Sequence, residues 1–208
     1  MKLYYHPGAC SLAPHIDLIE SSLAFSLEFT NTKTHKLNDG SDFYAINPLG
    51  YVPVLELADG TRLREGAALA QYIADLVPEK KLAPPNGSIE RYRLQEWLDF
   101  ISTELQKTIF MLFHYIHDDE SQNVVRIKLA SRLSWLDQQL IGRSYLMGPD
   151  FSVADALLFA ILRWIPLIKV DMSALDHVQQ WQKRVLQRPA VQTALKTEGP
   201  PSWASLVK

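Results

Sequence analysis

The stretch that most constrains the fold runs from Asn47 to Leu57 and reads NPLGYVPVLEL. Its first four residues are typical of a turn, and the run Val52–Leu57 is rich in residues that favour a β-strand. Pro53 stands where that strand should begin, and in an X-Pro bond the cis form costs only about 0.5–1 kcal/mol. If the bond between Val52 and Pro53 is cis, the backbone N–H and C=O of Val52 face outward, where an extended peptide can pair with them. The other interpretation is an ordinary loop that enters an edge strand through a proline.

Composition and charge exclude several classes of function. Of the 208 residues, 47% are hydrophobic and 21% are charged, as in ordinary globular proteins, and the net charge is −2. No basic run is present, so we expect neither nucleic acid nor a membrane as a partner. The N-terminus lacks a signal-type apolar core, and charged residues and a proline interrupt the apolar stretch Val153–Val170. A cytoplasmic protein is the expectation.

Cys10 is the only cysteine, which excludes an intramolecular disulfide and a cysteine-based metal cluster, and we expect no metal site.

The N-terminal residues predict a β-α-β unit. A strand at Lys2–Tyr5 is followed by a turn, a helix that Ser11 opens as a candidate N-cap, and a second strand at Phe25–Thr30. A right-handed crossover would make these two strands parallel. Cys10 therefore stands just before a helix N-terminus, where free amides and the helix dipole favour an anion and would lower the pKa of a thiol. The alternative is an inert, buried cysteine.

A second helix N-terminus carries complementary chemistry. After the strand Val52–Leu57, an Asp-Gly turn predicts a hairpin with Thr61–Arg64, and a helix is predicted over Ala67–Leu76. Glu65 and Gly66 stand where that helix begins. Backbone amides at this helix start can hold a carboxylate and Glu65 can hold an ammonium, which together suit the zwitterionic end of an amino acid. The alternative is an acidic residue placed near a helix start for the dipole alone.

The chain changes character after residue 78. Residues 79–87 (EKKLAPPNG) read as a linker, and no strand pattern follows them, so we divide the chain into a domain over 1–78, the linker 79–87, and an all-α domain over 88–208. The third helix of the second domain begins with a capping box variant, Ser152 with Asp155, and is apolar on nearly all sides, so it should be the buried central helix. Four tryptophans on these helices are predicted to pack rather than to act as stacking platforms: Trp97, Trp135, Trp164 and Trp181. The predicted helices are Ser88–Ile116, Asn123–Leu140, Ser152–Ile168, Ala174–Gln187 and Ala190–Leu195.

Several segments, in register and in order, resemble those of cytosolic glutathione transferases, and specifically the bacterial beta class. These segments are MKLYYHPGACSLAPHI, NPLGYVPVL, REGAALAQYIAD and RYRLQEWLDFISTEL, and the resemblance covers essentially the whole chain. It implies an α/β thioredoxin-like N-terminal domain followed by an all-α helical-bundle C-terminal domain. It also implies glutathione as a co-substrate and a homodimer.

The resemblance assigns roles to individual residues. Val52, before the family's cis-proline at Pro53, would pair its backbone with the cysteinyl unit of glutathione. Glu65 and Gly66 would hold the γ-glutamyl zwitterion. Cys10 would lie beside the glutathione sulfur, with Ser11 next to it. On the long helix, two further residues would approach glutathione, partly from the other subunit: Asp99 and Thr103.

The sequence also departs from the beta-class pattern. Gln106 stands where histidine is common and cannot serve as a general base. Tyr51 replaces a frequent glutamine, and His35 replaces a frequent lysine that would contact the glycyl carboxylate. Asp99 stands where asparagine is frequent, and its charge could pair with the α-ammonium of the ligand.

The expected activity is conjugation of the glutathione thiolate to small electrophilic, apolar substrates, as in detoxification. Donors from Cys10 and the amides near Ser11 would stabilise the thiolate, and Tyr5 is an alternative hydroxyl donor with sheet packing as its other interpretation. The acceptor pocket would lie near His6 and the Phe110–His114 segment. One alternative is glutathione-dependent thiol-disulfide exchange or peroxidase activity through Cys10. A second alternative is a non-catalytic binding scaffold of the same fold.

Overall fold

A computed structural model describes residues 1–201 and 203, and an α/β half precedes an all-helical half. The predicted all-α domain 88–208 therefore extends at its C-terminus beyond the described residues. The strands are β1 (Lys2–Tyr5), β2 (Ser26–Asn31), β3 (Lys36–Leu37), β4 (Val54–Glu56) and β5 (Arg62–Arg64). The helices are α1 (Leu12–Ser21), α2 (Gly66–Asp75), α3 (Ile89–Phe100), α4 (Lys107–His114), α5 (Asp119–Gln139), α6 (Val153–Leu162), α7 (Asp176–Leu186) and α8 (Pro189–Glu198).

The five strands form one mixed sheet in the order β3-β2-β1-β4-β5. β1 and β2 are parallel, which confirms the predicted β-α-β unit, and the other neighbouring pairs are antiparallel. The Asp-Gly turn joins β4 to β5 as predicted, with Val54 opposite Arg64. This register brings the residue after β5, Glu65, alongside the residue before β4, Pro53.

The central helix of the second half is α6, all ten residues of which are buried. Its capping box is present: Asp155 accepts hydrogen bonds from the backbone N–H and the hydroxyl of Ser152, each at 2.9 Å. The prediction that this helix continues to Ile168 is wrong, because α6 ends at Leu162 and a short 3-10 turn, Ile165–Leu167, follows. Pro166 lacks the N–H that would bond to the carbonyl of Leu162, so an α-helix cannot continue through it without loss.

The predicted long helix Ser88–Ile116 is present but not uniform. α3 is capped by Ser88, whose hydroxyl accepts the amide hydrogen of Arg91, and a π-helical segment, Ile101–Gln106, connects α3 to α4. Arg91 ties this helix to α2 through a two-pronged pair with Asp75 at 2.8 and 2.9 Å. Among the helices of the described residues, none combines the length and the apolar character that crossing a membrane requires.

Candidate active site

Cys10 lies at the junction that the sequence predicted, between β1 and α1, and its thiol reaches the loop before β4. The Sγ of Cys10 donates a hydrogen bond to the carbonyl oxygen of Val52 over 3.5 Å. The bond between Val52 and Pro53 is cis. The carbonyl that was expected to face outward unpaired is therefore engaged by the thiol, and the two predicted features form one site.

The expectation that the pKa of the Cys10 thiol is lowered is wrong, although the backbone amide acts in the expected direction. Burial raises the pKa of the Cys10 thiol from an ordinary 9.0 to about 11, and the neighbouring Glu65 carboxylate adds a smaller upward effect. The backbone amide of Cys10 and the side chain of Gln106 lower the pKa, but by less than burial raises it. The loss of hydration outweighs the amides at the helix start. At neutral pH the group is therefore a thiol that donates a hydrogen bond.

Ser11 has a different role from the predicted N-cap. Its side chain makes no cap hydrogen bond to α1. Instead the buried hydroxyl accepts the amide hydrogen of His6 at 3.1 Å and donates to the carbonyl of His6 at 3.3 Å, so it closes the turn before Cys10. The amide hydrogen of Ser11 meets no backbone acceptor within the described residues. That amide, rather than the hydroxyl, is available to a ligand.

The loop before β4 is held by a buried asparagine. The side-chain amide of Asn47 donates to the carbonyl of Tyr51 at 2.7 Å, and its oxygen accepts the amide hydrogen of Leu49 at 3.2 Å. His35 supports the same loop, because its Nδ1 lies 2.9 Å from the carbonyl oxygen of Gly50 and its ring stacks near Tyr44. His35 is thus beside this loop, with one ring nitrogen already engaged.

Glu65 occupies the link between β5 and α2 with a positive φ of 68°, a conformation unusual for a residue with a side chain. Its carboxylate accepts a 2.6 Å hydrogen bond from the hydroxyl of Tyr51, and this bond is the main reason that the pKa of Tyr51 is raised to about 12. Gly66 begins α2, and a Cβ there would lie 3.3 Å from the Leu157 side chain, so α2 packs closely on α6. The Glu65 carboxylate and the start of α2 therefore lie close to the loop that carries Tyr51 and Val52.

The long helix brings only one of its predicted residues into direct influence on Cys10. Gln106, at the end of the π-helical segment, lowers the pKa of the Cys10 thiol by hydrogen bonding. Thr103 uses its hydroxyl within the helix, where it donates to the carbonyl of Asp99 at 2.8 Å. Asp99 and Thr103 are exposed, and the described residues show no contact from their side chains to Cys10 or Glu65.

Tyr5 packs in the sheet. Its ring lies 6.3 Å from the rings of both Phe29 and His15, and burial raises the pKa of its hydroxyl. No hydrogen bond joins this hydroxyl to Cys10 within the described residues, so the geometry favours the packing role.

Two tryptophans contact the site in a way that sequence reasoning missed. Trp164 and Trp203 both donate their indole N–H to the carbonyl oxygen of Gly8, at 2.7 and 3.0 Å. Trp164 was predicted to pack only, and Trp203 was not singled out. No local pattern could find these contacts, because they join residues 156 and 195 positions apart. Of the other predicted packing tryptophans, Trp97 and Trp181 are buried, whereas Trp135 is 45% exposed.

Comparisons with known proteins show the family of this chain. Residues 8–76 match the family described as "Glutathione S-transferase, N-terminal domain", and residues 100–189 match "Glutathione S-transferase, C-terminal domain". The chain is 43% identical over 199 residues to glutathione S-transferase GstA of Escherichia coli O157:H7, covering 96% of this chain and 99% of that protein. It is 37% identical over 206 residues to glutathione S-transferase GST-4.5 of Xanthomonas campestris pv. campestris, covering 96% and 99%.

Two solved structures are similar over nearly their whole length. The ternary complex of BphK, a bacterial glutathione S-transferase, has a TM-score of 0.92 and 50% identity, covering 96% of this chain and 100% of that chain. A sphingomonad glutathione S-transferase complexed with glutathione has a TM-score of 0.91 and 41% identity, covering 96% and 99%. These matches span both halves of the chain and the residues around Cys10, Val52 and Glu65. The chain belongs to the glutathione S-transferase family.

Proposed function

We propose that this chain is a glutathione-conjugating transferase that binds glutathione along the backbone of Val52 and delivers its thiolate to a small electrophile. The observation that carries the proposal is the contact between the Cys10 thiol and the Val52 carbonyl, in a loop whose Tyr51 hydroxyl also binds the Glu65 carboxylate. A tripeptide that pairs with the backbone here has its central residue at Val52. Its sulfur is then near the start of α1 and its γ-glutamyl end is near the start of α2.

The γ-glutamyl end of glutathione carries an ammonium and a carboxylate, and the site offers a partner for each. The Glu65 carboxylate binds the α-ammonium, and the first amides of α2, beginning with Gly66, bind the α-carboxylate. The carboxylate of Glu65 can accept several hydrogen bonds, so the bond from Tyr51 and a bond from the ligand can coexist. His35 lies toward the glycyl end of the ligand. Asp99 and Thr103 approach the ligand from the long helix, partly across a subunit interface.

The sulfur is activated by hydrogen bonding. An unperturbed thiol has a pKa near 8.5, so little thiolate is present at neutral pH. When the ligand backbone takes over the Val52 carbonyl, the single S–H of Cys10 turns from that oxygen to the sulfur of glutathione, and the free amide of Ser11 donates to the same sulfur. Lowering the pKa of the glutathione thiol by about two units takes roughly 2.7 kcal/mol. The proton leaves to solvent, because Gln106 cannot accept it. A cysteine with a raised pKa suits this role, since it stays protonated while it donates.

The competing mechanism uses Cys10 as the nucleophile in thiol-disulfide exchange or peroxide reduction. That chemistry needs the thiolate of Cys10, and a pKa of about 11 leaves very little of it at neutral pH. Conjugation is therefore the function that the geometry supports best. A non-catalytic scaffold would need neither the thiol contact nor the carboxylate beside it.

The acceptor substrate in this proposal is apolar. Phe110 and Tyr115, at the end of α4, are 42% and 72% exposed, and Phe113 packs edge-on against Trp164. These aromatic side chains offer a surface for an apolar electrophile on the helical side of the site. We also propose a homodimer in the cytoplasm, and domain boundaries at 1–78, 79–87 and 88–208.

Retention on immobilised glutathione tests binding, and turnover of an aryl halide by the wild type and by Cys10→Ala tests the mechanism. We expect both proteins to be retained, and Cys10→Ala to lose about tenfold to a hundredfold in kcat/KM, because one donor to the thiolate is lost. Failure of the wild type to be retained would refute glutathione binding. If Cys10→Ala loses disulfide exchange and keeps full conjugation, Cys10 is not the donor that stabilises the thiolate.

A further inference from the structure

The hydrogen bonds that the described residues of the helical half make to the loop that carries Cys10, residues His6–Ser11, go to one carbonyl group. Both indole N–H groups described above, from Trp164 and Trp203, converge on the oxygen of Gly8. Gly8 is buried and has a φ of +84°. Cys10 lies two residues further along, so the position of this carbonyl sets the position of the thiol.

Pro201 and Trp203 fill the space where a side chain at Gly8 would lie. A Cβ at Gly8 would come within 2.4 Å of the Cβ of Pro201 and 2.7 Å of the indole nitrogen of Trp203. These distances are far below normal contact, so glycine is required for packing as well as for its backbone conformation. The segment after α8 is therefore in direct contact with the Cys10 loop.

The segment is anchored where it leaves α8. The carboxylate of Glu198 lies 2.9 Å from Nδ1 of His15, and both side chains are buried. His15 belongs to α1, the helix that follows the Cys10 loop. Glu198, at the end of α8, thus contacts α1, and Trp203 contacts the Cys10 loop.

The other hydrogen bonds of the loop run within the N-terminal half. Ser11 closes the loop on His6, the ring of His6 lies 2.8 Å from the carbonyl oxygen of Thr30, and Cys10 reaches Val52. At Gly8 the helical half contributes two further hydrogen bonds, in which the indole N–H groups of Trp164 and Trp203 donate to one carbonyl oxygen. The carbonyl oxygen has two lone pairs and can satisfy both.

We propose that Trp203 is a positioning residue for the thiolate chemistry. Its indole N–H, together with that of Trp164, holds the carbonyl of Gly8 so that the Cys10 thiol stays beside Val52, where the sulfur of the ligand binds. The proposal rests on the proposed function of this site. Trp203 acts through the loop and does not touch glutathione or the electrophile.

The surroundings of Trp203 make it suitable for substitution. Its indole borders a groove of about 400 Å³ that is also lined by Arg163 and Met172, so the ring is at the edge of the core. The guanidinium of Arg163 lies 5.7 Å from the centre of the ring. Trp203→Phe keeps an aromatic ring and removes the N–H donor together with one ring of the indole, so the control must make the same truncation elsewhere. Trp135→Phe is the matched control, because Trp135 is half-exposed on α5 and packs against Phe100.

The test measures Cys10 alkylation by iodoacetamide in the ligand-free full chain, together with the kinetics of an aryl halide. In Trp203→Phe we expect alkylation to be about threefold to tenfold faster, because a loosened loop exposes the thiol to water. We expect kcat for the aryl halide to fall by a similar factor, with the KM for glutathione changed by less than about twofold. Trp135→Phe should match the wild type in all three.

Hydrogen exchange gives an independent measurement. Amides of residues 6–11 should exchange faster in Trp203→Phe, while those of β2 should not change. Unchanged exchange at residues 6–11 would overturn the proposal. So would alkylation and kcat within about twofold of the wild type, or equal losses in kcat and in glutathione binding. Alkylation and exchange need no glutathione. They therefore test the role of Trp203 even if the wild type does not conjugate glutathione. Absence of conjugation would refute the proposed function and would leave the role of Trp203 to these two measurements.

Discussion

The reactivity of Cys10 gives the sharpest test of the electrostatics of the site, because the chain has no other cysteine. Burial raises the pKa of the thiol from 9.0 to about 11. The thiolate fraction at neutral pH is then about 100-fold smaller than for an ordinary thiol. A more basic thiolate is also a better nucleophile, with a Brønsted slope of about 0.4–0.5, which recovers roughly tenfold. We therefore expect alkylation about tenfold slower than that of a free cysteine derivative at neutral pH.

The assay is the rate of iodoacetamide addition, followed by mass spectrometry from about pH 6 to about pH 10, with N-acetylcysteine as the reference thiol. The logarithm of the rate should rise in proportion to pH across this whole range. A plateau below about pH 8 would show that the thiolate already dominates there, and would refute the conclusion that burial outweighs the helix N-terminus. Gln106→Ala should slow alkylation further at each pH, because the side chain of Gln106 lowers the pKa.

Two predictions concern stability. Asp17→Leu should raise the free energy of unfolding at neutral pH by about 1–3 kcal/mol, because Asp17 is fully buried and its carboxyl oxygens have no hydrogen-bond partner within the described residues. Burial raises the pKa of this carboxyl, so the folded state holds the proton more tightly, and the destabilisation is absent below the unfolded pKa and grows as pH rises above it. Urea denaturation should show a gap between the two proteins that widens from about pH 4 to neutral pH, and a constant gap would contradict the reasoning. Arg91→Ala should cost about 2–3 kcal/mol in the same assay, because a buried guanidinium pairs there with a carboxylate across α2 and α3. Arg93→Ala, which removes an exposed pair within one helix, should cost less than about 0.5 kcal/mol, and similar losses for both would refute the distinction.

The parts of the fold that follow local rules were predictable from the sequence. The Asp-Gly hairpin and the Ser152 capping box each depend on a few neighbouring residues, and both are present. The end of α6 was predicted too late because the apolar run continues to Ile168 and was followed past Pro166, the residue that signals the end. The π-helical segment Ile101–Gln106 contains neither proline nor glycine, so no breaker marks it.

The parts of the site that depend on distant contacts were not predictable. The position of Cys10 before a helix was predicted correctly, but its pKa depends on burial and on Gln106 and Glu65, which are distant in sequence. Ser11 suits an N-cap by residue type, yet its hydroxyl turns back to His6 because the tight turn before Cys10 brings that backbone within reach. The hydrogen bond from Trp203 to Gly8 joins residues near the two ends of the chain, and the spacing of residues in the sequence does not predict such a contact.

The pairing of β4 with β5 has a consequence for how such a site can change during evolution. Because Val54 pairs with Arg64, the length of the three-residue turn Ala58–Gly60 sets the position of Glu65 relative to Pro53. It thereby sets the position of the carboxylate relative to the amine of a ligand. A one-residue insertion that shifted this pairing would turn the side chains of β5 to the opposite face of the sheet. Leu63 would leave the core cluster that contains Leu55, and Glu65 would no longer stand opposite Pro53. The length of this turn therefore affects ligand recognition and stability together.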